Sequence, residues 1–198
     1  MGIDFEYEEG QTPLDEEEKE GLLIGTITTG MELDEFEQLN IQKAVEWTIA
    51  RKFKPQVILT EQFVRELHQK MFNDTWAWAG KFRSSNKNIG VDRFNISGEL
   101  KNLLDDVKFW IRNETYHPSE IAVRFKHRIV SIHCFANGNG RHSRLIADVV
   151  IEHIFDQPVY SWGGSNLIKA GDARKAYLSA IKKADQGNVQ PLIQFART

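Results

Sequence analysis

Between Leu100 and Ile111 the chain places Leu100, Leu103, Leu104, Val107, Trp110 and Ile111 at offsets 0, 3, 4, 7, 10 and 11. That spacing closes an apolar stripe on a 3.6-residue turn and is incompatible with the alternation of a half-buried strand. It predicts a helix from about Ser97 to Asn113 and requires an equally apolar neighbour to cover it. The next segment supplies one. Pro118 stands at a first-turn position with Ser119 and Glu120 behind it, and Ile121, Phe125, Arg128, Ile129 and Ile132 carry a helical stride to His133. A third stride runs from Arg141 to Phe155 through Leu145, Ile146, Val149, Val150 and Ile154.

Upstream, Phe36, Leu39, Ala44 and Trp47 read as the apolar face of a helix over 34–53, stopped by Pro55. Thr60 is the expected N-cap of a further helix ending near Phe72, with Leu59 and Val64 as a hydrophobic staple. Lys81 to Ile96 is rich in glycine, asparagine and serine with Ile89, Val91 and Phe94 alternating, and reads as a short hairpin. Two more helices are expected at Asp172–Ala184 and Val189–Ala196. The fold class is all-α with one short β-hairpin. The expected division is an acidic arm and link over 1–32 and a helical domain over 33–198, with its core at about 60–160.

The 198 residues carry a net charge of −3, but Asp4 to Glu20 hold nine acids and one base. That segment has a charge of −8, which leaves +5 on the rest of the chain, so the body favours anionic partners. The arm is either a solvated tail or a device that covers a cationic site. No basic patch suits nucleic acid, no apolar run reaches membrane-spanning length, and the first residues lack a basic start followed by an apolar stretch. A single cysteine, Cys134, excludes an internal disulfide. The cytoplasm is the expected location.

Chemistry concentrates in the run from His133 to Arg144. Gly138 and Gly140 flank Asn139, a pattern that lets successive N–H groups face one concavity, and the following helix adds unpaired amides and the positive end of its dipole. Arg141 and Arg144 lie three apart in that first turn, against the dipole, where cations are unfavourable unless an anion arrives. His133, directly before this phosphate nest, has the side chain to take a proton from an incoming hydroxyl. Cys134 diverges from His133 by about 100° on a helix, which disfavours a thiol protease pair. His133, Cys134 and His142 lack the paired spacing of a structural zinc site. Trp47, Trp76, Trp78 and Trp110 are expected in the core; Trp162, beside Gly163 and Gly164, is either core or an adenine contact.

This run resembles the Fic signature His-x-Phe-x-Asp/Glu-Gly-Asn-Gly-Arg-x-x-Arg at every fixed position except the acidic one, which Asn137 occupies. Thr12 to Asp15, Trp78 to Arg83, Asn88 to Val91 and His142 to Leu145 further resemble the bacterial group called mobile mystery protein B. The resemblance implies a protein adenylyltransferase that moves AMP from ATP to a Ser, Thr or Tyr hydroxyl of a protein target. It implies His133 as base and Phe135 as loop anchor. Gly138, Asn139 and Gly140 would cradle phosphates, Arg141 and Arg144 would contact the β and γ groups, and residue 137 would hold Mg²⁺. Lys87, Asn88, Ile89, Gly90 and Val91 would form a flap docking the target as an added strand. Asn137 offers an oxygen without formal charge, so weak metal affinity is expected. The family's inhibitory Ser/Thr-x-x-x-Glu-Gly/Asn helix has no match, leaving a separate inhibitor protein or occlusion of Arg144 by the acidic arm.

Overall fold

A computed structural model describes residues 13–164, 167 and 171–198. The described residues form nine α-helices: α1 Glu16–Lys19, α2 Gly30–Ile49, α3 Pro55–Ile58, α4 Glu61–Phe72, α5 Ile96–Arg112, α6 Pro118–Ile132, α7 Asn139–His153, α8 Asp172–Asp185 and α9 Gln190–Arg197. Short 3-10 turns lie at Arg93–Asn95 and Trp162–Gly164. Helices α6 and α7 make the central pair, with α5 and α9 against α6, and α3 and α4 against α7. α2 lies on α4, and α8 pairs with α9.

The α5 stripe is buried as its spacing demands: Leu100, Leu103, Leu104 and Val107 face the core, opposite Ile121, Phe125, Ile129 and Ile132 of α6. Removing each such side chain from water contributes about 2 kcal/mol, and eight of them on facing helices outweigh any cost of weak propensity at the valine and isoleucine positions. Helix starts follow local chemistry. The Thr60 hydroxyl accepts from Phe63 N–H at 3.1 Å, and Thr29 and Glu32 exchange bonds in a capping box at 3.2 and 3.0 Å.

That capping box starts α2 at Gly30, four residues before the expected start, and Pro55 opens α3 at its first position rather than ending the preceding helix. The buried face of α2 also differs from expectation. Phe36 and Leu39 are 41% and 59% exposed, whereas Leu33, Glu37, Asn40, Ala44 and Thr48 face inward. The polar members of that stripe are satisfied from neighbouring elements: Asn40 donates to the Lys70 carbonyl at 3.0 Å and accepts from Asp74 N–H at 2.8 Å. Hydrophobicity alone does not choose a face when buried polar partners wait on the other.

No paired strand forms between 81 and 96, so the expected hairpin is absent. Two isolated bridges, Leu22 with Trp76 and Phe82 with Phe135, are all the β pairing among the described residues. Side chains organise this segment instead. The Asn86 amide donates to Asp92 at 2.9 Å and accepts from Arg93 N–H at 2.8 Å, and Arg83 takes the Ser85 and Val91 carbonyls. Backbone groups bound to side chains are lost to a ladder.

Candidate active site

Helix α6 ends at His133, which adopts a left-handed backbone with φ 58° and ψ 61°. Glycine is the usual occupant of such a C-terminal position, and a side chain there costs about 1 kcal/mol. Surrounding bonds hold it. Three successive carbonyls at this end are each taken by the segment after α4: Ile132 by Val91 N–H at 3.3 Å, His133 by Arg83 Nε at 2.7 Å, and Cys134 by Arg83 N–H at 3.0 Å. Helix ends otherwise leave such acceptors unsatisfied. Gly90, at φ 98°, lies so close that a Cβ there would meet the His133 Cβ at 2.6 Å.

The imidazole is 5% exposed. Burial and then the Arg83 guanidinium push its pKa down to about 4, opposed by a hydrogen bond to the Val130 backbone, with Lys87 adding a smaller depression. It is therefore neutral at physiological pH, and a neutral imidazole keeps one nitrogen able to accept a proton. Cys134 beside it is buried and its thiol is pushed up to about 12 by burial, which leaves it inert as a nucleophile.

The connector from Phe135 to Gly138 is built from the inside. Phe135 is fully buried, stacked on His68 at 3.7 Å between ring centres and edge-on to His142 at 5.2 Å. The Asn139 amide closes a ring on it, accepting from Phe135 N–H at 3.0 Å and donating to Phe135 C=O at 2.8 Å. Its side chain is thus a staple in the protein, leaving only its backbone to meet a ligand. The Asn137 carbonyl accepts from His68 Nε2 at 3.1 Å, while its amide oxygen accepts from Gly138 N–H at 2.5 Å. Gly138 caps α7 at φ 75° against the Phe72 ring, where a Cβ would sit 2.5 Å from ring carbons. Gly140 faces open space, where an added methyl would have nothing within 4 Å. The helix start carries no side-chain cap, so its first amides keep their capacity for an anion.

The two arginines of this turn have different neighbours. Arg141 Nη1 pairs with Glu37 Oε2 at 2.5 Å, and Glu37 Oε1 accepts from Trp76 Nε1 at 2.5 Å. Arg144 lies over the Tyr177 ring at 5.6 Å. Tyr177 also accepts from the buried Lys126 Nζ at 2.5 Å. Burial pushes the phenol up, but Lys126 and Arg144 outweigh it and leave it below its ordinary value. In the structure Glu37 already balances the first of these arginines, while the second faces an aromatic ring.

Lys87 of the expected flap is drawn inward, paired with Asp15 at 3.0 Å and Glu18 at 2.5 Å. Ser85 donates to the same Asp15 at 2.5 Å, and Trp78 Nε1 to the Glu18 carbonyl at 3.0 Å. Asn88, Ile89 and Gly90 stay exposed. The described part of the arm meets the flap segment: Asp15 and Glu18 engage Lys87, and Glu16 engages Lys19. Asp4, Glu6, Glu8, Glu9 and Thr12 lie outside the described residues. Trp162 packs in the core and donates to Asp148 at 3.0 Å. His142 is buried and bonded to the Val64 carbonyl at 2.9 Å, and no cluster of three metal-ligating side chains occurs among the described residues.

Sequence reasoning missed Glu37, His68 and Arg83 as site residues. Glu37 belongs to a stripe with Leu33, Asn40 and Ala44 at offsets 0, 4, 7 and 11, a helical stride hidden by its polarity. His68 lies on the buried face of α4 beside Leu67 and Met71, a position where an imidazole needs partners on both nitrogens. Arg83 had no local signal beyond its place after an aromatic turn.

Residues 58–151, just under half the chain, match the model of the Fic/DOC family. The protein adenylyltransferase Fic of Aedes aegypti is 24% identical over 171 residues, covering 84% of this chain and 33% of that protein. Its counterpart in Drosophila melanogaster is 27% identical over 141 residues, covering 69% of this chain and 27% of the relative. The chain thus spans about a third or less of the length of these relatives. Among solved structures, BepC, a VirB-translocated effector of Bartonella tribocorum with bound AMPPNP, superposes with a TM-score of 0.66 at 18% identity, over 92% of this chain and 97% of that one. Fic-1 from C. elegans gives 0.66 at 19% identity, over 90% of this chain and 50% of that one. These likenesses establish the all-α Fic fold.

Proposed function

We propose that this chain is a protein adenylyltransferase that transfers AMP from ATP to a Ser, Thr or Tyr hydroxyl of a target protein. One observation carries the reading. A neutral imidazole is clamped at the end of α6, five residues before the Gly138 cap of an α7 N-terminus that has no side-chain cap and where Gly140 leaves open space for phosphate. The hydroxyl oxygen bonds the α-phosphorus, the bond from that phosphorus to the pyrophosphate oxygen breaks, and the hydroxyl proton passes to His133. An imidazole whose pKa is about 4 is ready to accept but pulls weakly. The backbone amides of Asn139 to Arg141 therefore supply most of the stabilisation, by matching charge that grows on the phosphoryl oxygens. Arg144 and Arg141 would neutralise the departing pyrophosphate, with Arg141 exchanging Glu37 for a phosphate.

Lys87 to Val91 would lay the target beside His133. Mg²⁺ has no cage here: the Asn137 amide oxygen is one neutral donor already accepting from Gly138 N–H, and no acidic cluster stands among the described residues. The donor set does not fit a protein-held Mg²⁺, so no step passes through one. Restraint by a separate inhibitor protein belongs to the same reading, since Asp15, Glu16 and Glu18 of the arm are engaged with Lys19 and Lys87.

ATP labelled at the α-phosphate is incubated with the chain and a lysate, beside His133→Ala. Protein-bound label lost in the variant is the expected result. Nucleotide binding without transfer marks a Fic-like binding module instead, and label arriving only from the γ position marks a different group transfer.

A further inference from the structure

One buried side chain joins the flap segment to the end of α6. Arg83 donates from Nε to the His133 carbonyl at 2.7 Å, from Nη1 to the Ser85 carbonyl at 2.7 Å, and from Nη2 to the Val91 carbonyl, while its own N–H holds Cys134. A planar guanidinium reaches three carbonyls in different directions from one place; an ammonium on a flexible stem does not. Among the described residues no carboxylate is bonded to it.

We propose that Arg83 is the positioning residue of the transfer, locking the left-handed turn at His133 and registering the Ser85–Val91 segment over the imidazole. This rests on the reading of His133 as base. The contact is tight: a Cβ on Gly90 would meet both the His133 Cβ at 2.6 Å and the Arg83 Nη2 at 3.1 Å. Releasing the guanidinium frees three carbonyls, the φ 58° turn and the flap register together, so the base and the target-docking segment lose alignment in one step.

The charges around the imidazole separate this role from simple packing. The flap contributes Arg83 and Lys87, and α1 contributes Asp15 and Glu18, both spent on Lys87. Asp92 lies beyond Val91 and Glu61 of α4 acts on Cys134, whose buried thiol stays protonated. Burial is the first cause of the ring's lowered pKa, and Arg83, a cation without a bonded carboxylate, is the charge that adds most to it.

Three measurements test the proposal on the full chain: the His133 ring titration by NMR, affinity for AMPPNP, and the transfer rate at saturating ATP against pH. Arg83→Lys keeps the charge and loses the fork. It is expected to leave the titration near that of wild type and AMPPNP affinity within about twofold, and to lower the maximal rate by about tenfold or more. Arg83→Gln removes the charge, and His133 then titrates above the wild-type value while burial still holds it below the ordinary one, moving the acidic limb of the rate profile upward. Full rate in Arg83→Lys overturns the proposal, as does an unshifted His133 in Arg83→Gln. Should Arg83→Gln fail to fold, Arg83→Lys and the wild-type titration still decide, because a wild-type ring titrating at about 6.5 also overturns it. A wild type that transfers nothing removes the adenylyltransferase reading alone, while the titrations still report the coupling of Arg83 to His133.

Discussion

Replacing Glu37 by glutamine changes one oxygen to an amide without changing shape, and isolates the charge that balances Arg141. The carboxylate accepts from Trp76 Nε1 and Arg141 Nη1, each at 2.5 Å, and the pair's side chains are only 6% and 19% exposed. Glutamine keeps the acceptor for Trp76 but turns an NH₂ toward the guanidinium, donor against donor. Removing one partner of a buried ion pair costs about 3–5 kcal/mol. The partial exposure of Arg141 lets water recover some of this, so a loss of about 2–3 kcal/mol is expected. For a chain of this size that lowers the midpoint by about 5–10 °C. Urea unfolding followed by circular dichroism measures it, with an unchanged slope confirming the same unfolded state. Pyrophosphate should then stabilise Glu37→Gln more than wild type, because the freed guanidinium has an anion to find. A double-mutant cycle with Arg141→Gln should recover part of the loss. A change under about 0.5 kcal/mol, the scale of a solvated surface pair, would refute the argument that Glu37 holds Arg141.

Asn139→Ala leaves the buried Phe135 N–H and C=O without their shared partner; a loss of about 2–4 kcal/mol in urea unfolding is expected, and near-wild-type stability would remove the staple. Glu18→Gln takes a counter-charge from the buried Lys87, so amide hydrogen exchange over residues 85–91 should accelerate, and unchanged protection would show that α1 does not brace the flap. Asn137→Asp supplies the formal charge that the connector lacks, and a divalent-cation titration should show Mg²⁺ binding to the variant more tightly than to the wild type; equal binding would show that residue 137 holds no metal even as a carboxylate.

The helical core was legible because its residues are repetitive and apolar. Leu100 to Val107 and Ile121 to Ile132 meet across α5 and α6 where a 3.6-residue stride puts them, and Thr60 caps α4 by a bond local in sequence. What escaped is what depends on distant partners. The inward face of α2 is chosen by Trp76, Lys70 and Arg141, 30 to 104 residues away. The segment 81–96 reads as alternating, yet Arg83, Asn86 and Asp92 tie up the backbone that a ladder would need. The site followed the same division. The placement of His133 before a glycine-capped helix is written in consecutive residues, whereas its left-handed turn depends on Arg83, fifty positions upstream.

His68 has an implication for how this architecture meets acid. Its Nδ1 accepts from Gly80 N–H at 3.0 Å and its Nε2 donates to Asn137 C=O at 3.1 Å, and burial, followed by the influence of His142, keeps the ring well below its ordinary pKa. Only the uncharged tautomer can serve as a spacer with a donor at one end and an acceptor at the other. A second proton would set two N–H groups head to head at Gly80, so acid strikes the brace between the aromatic turn and the phosphate loop before it reaches the leucine-lined interior.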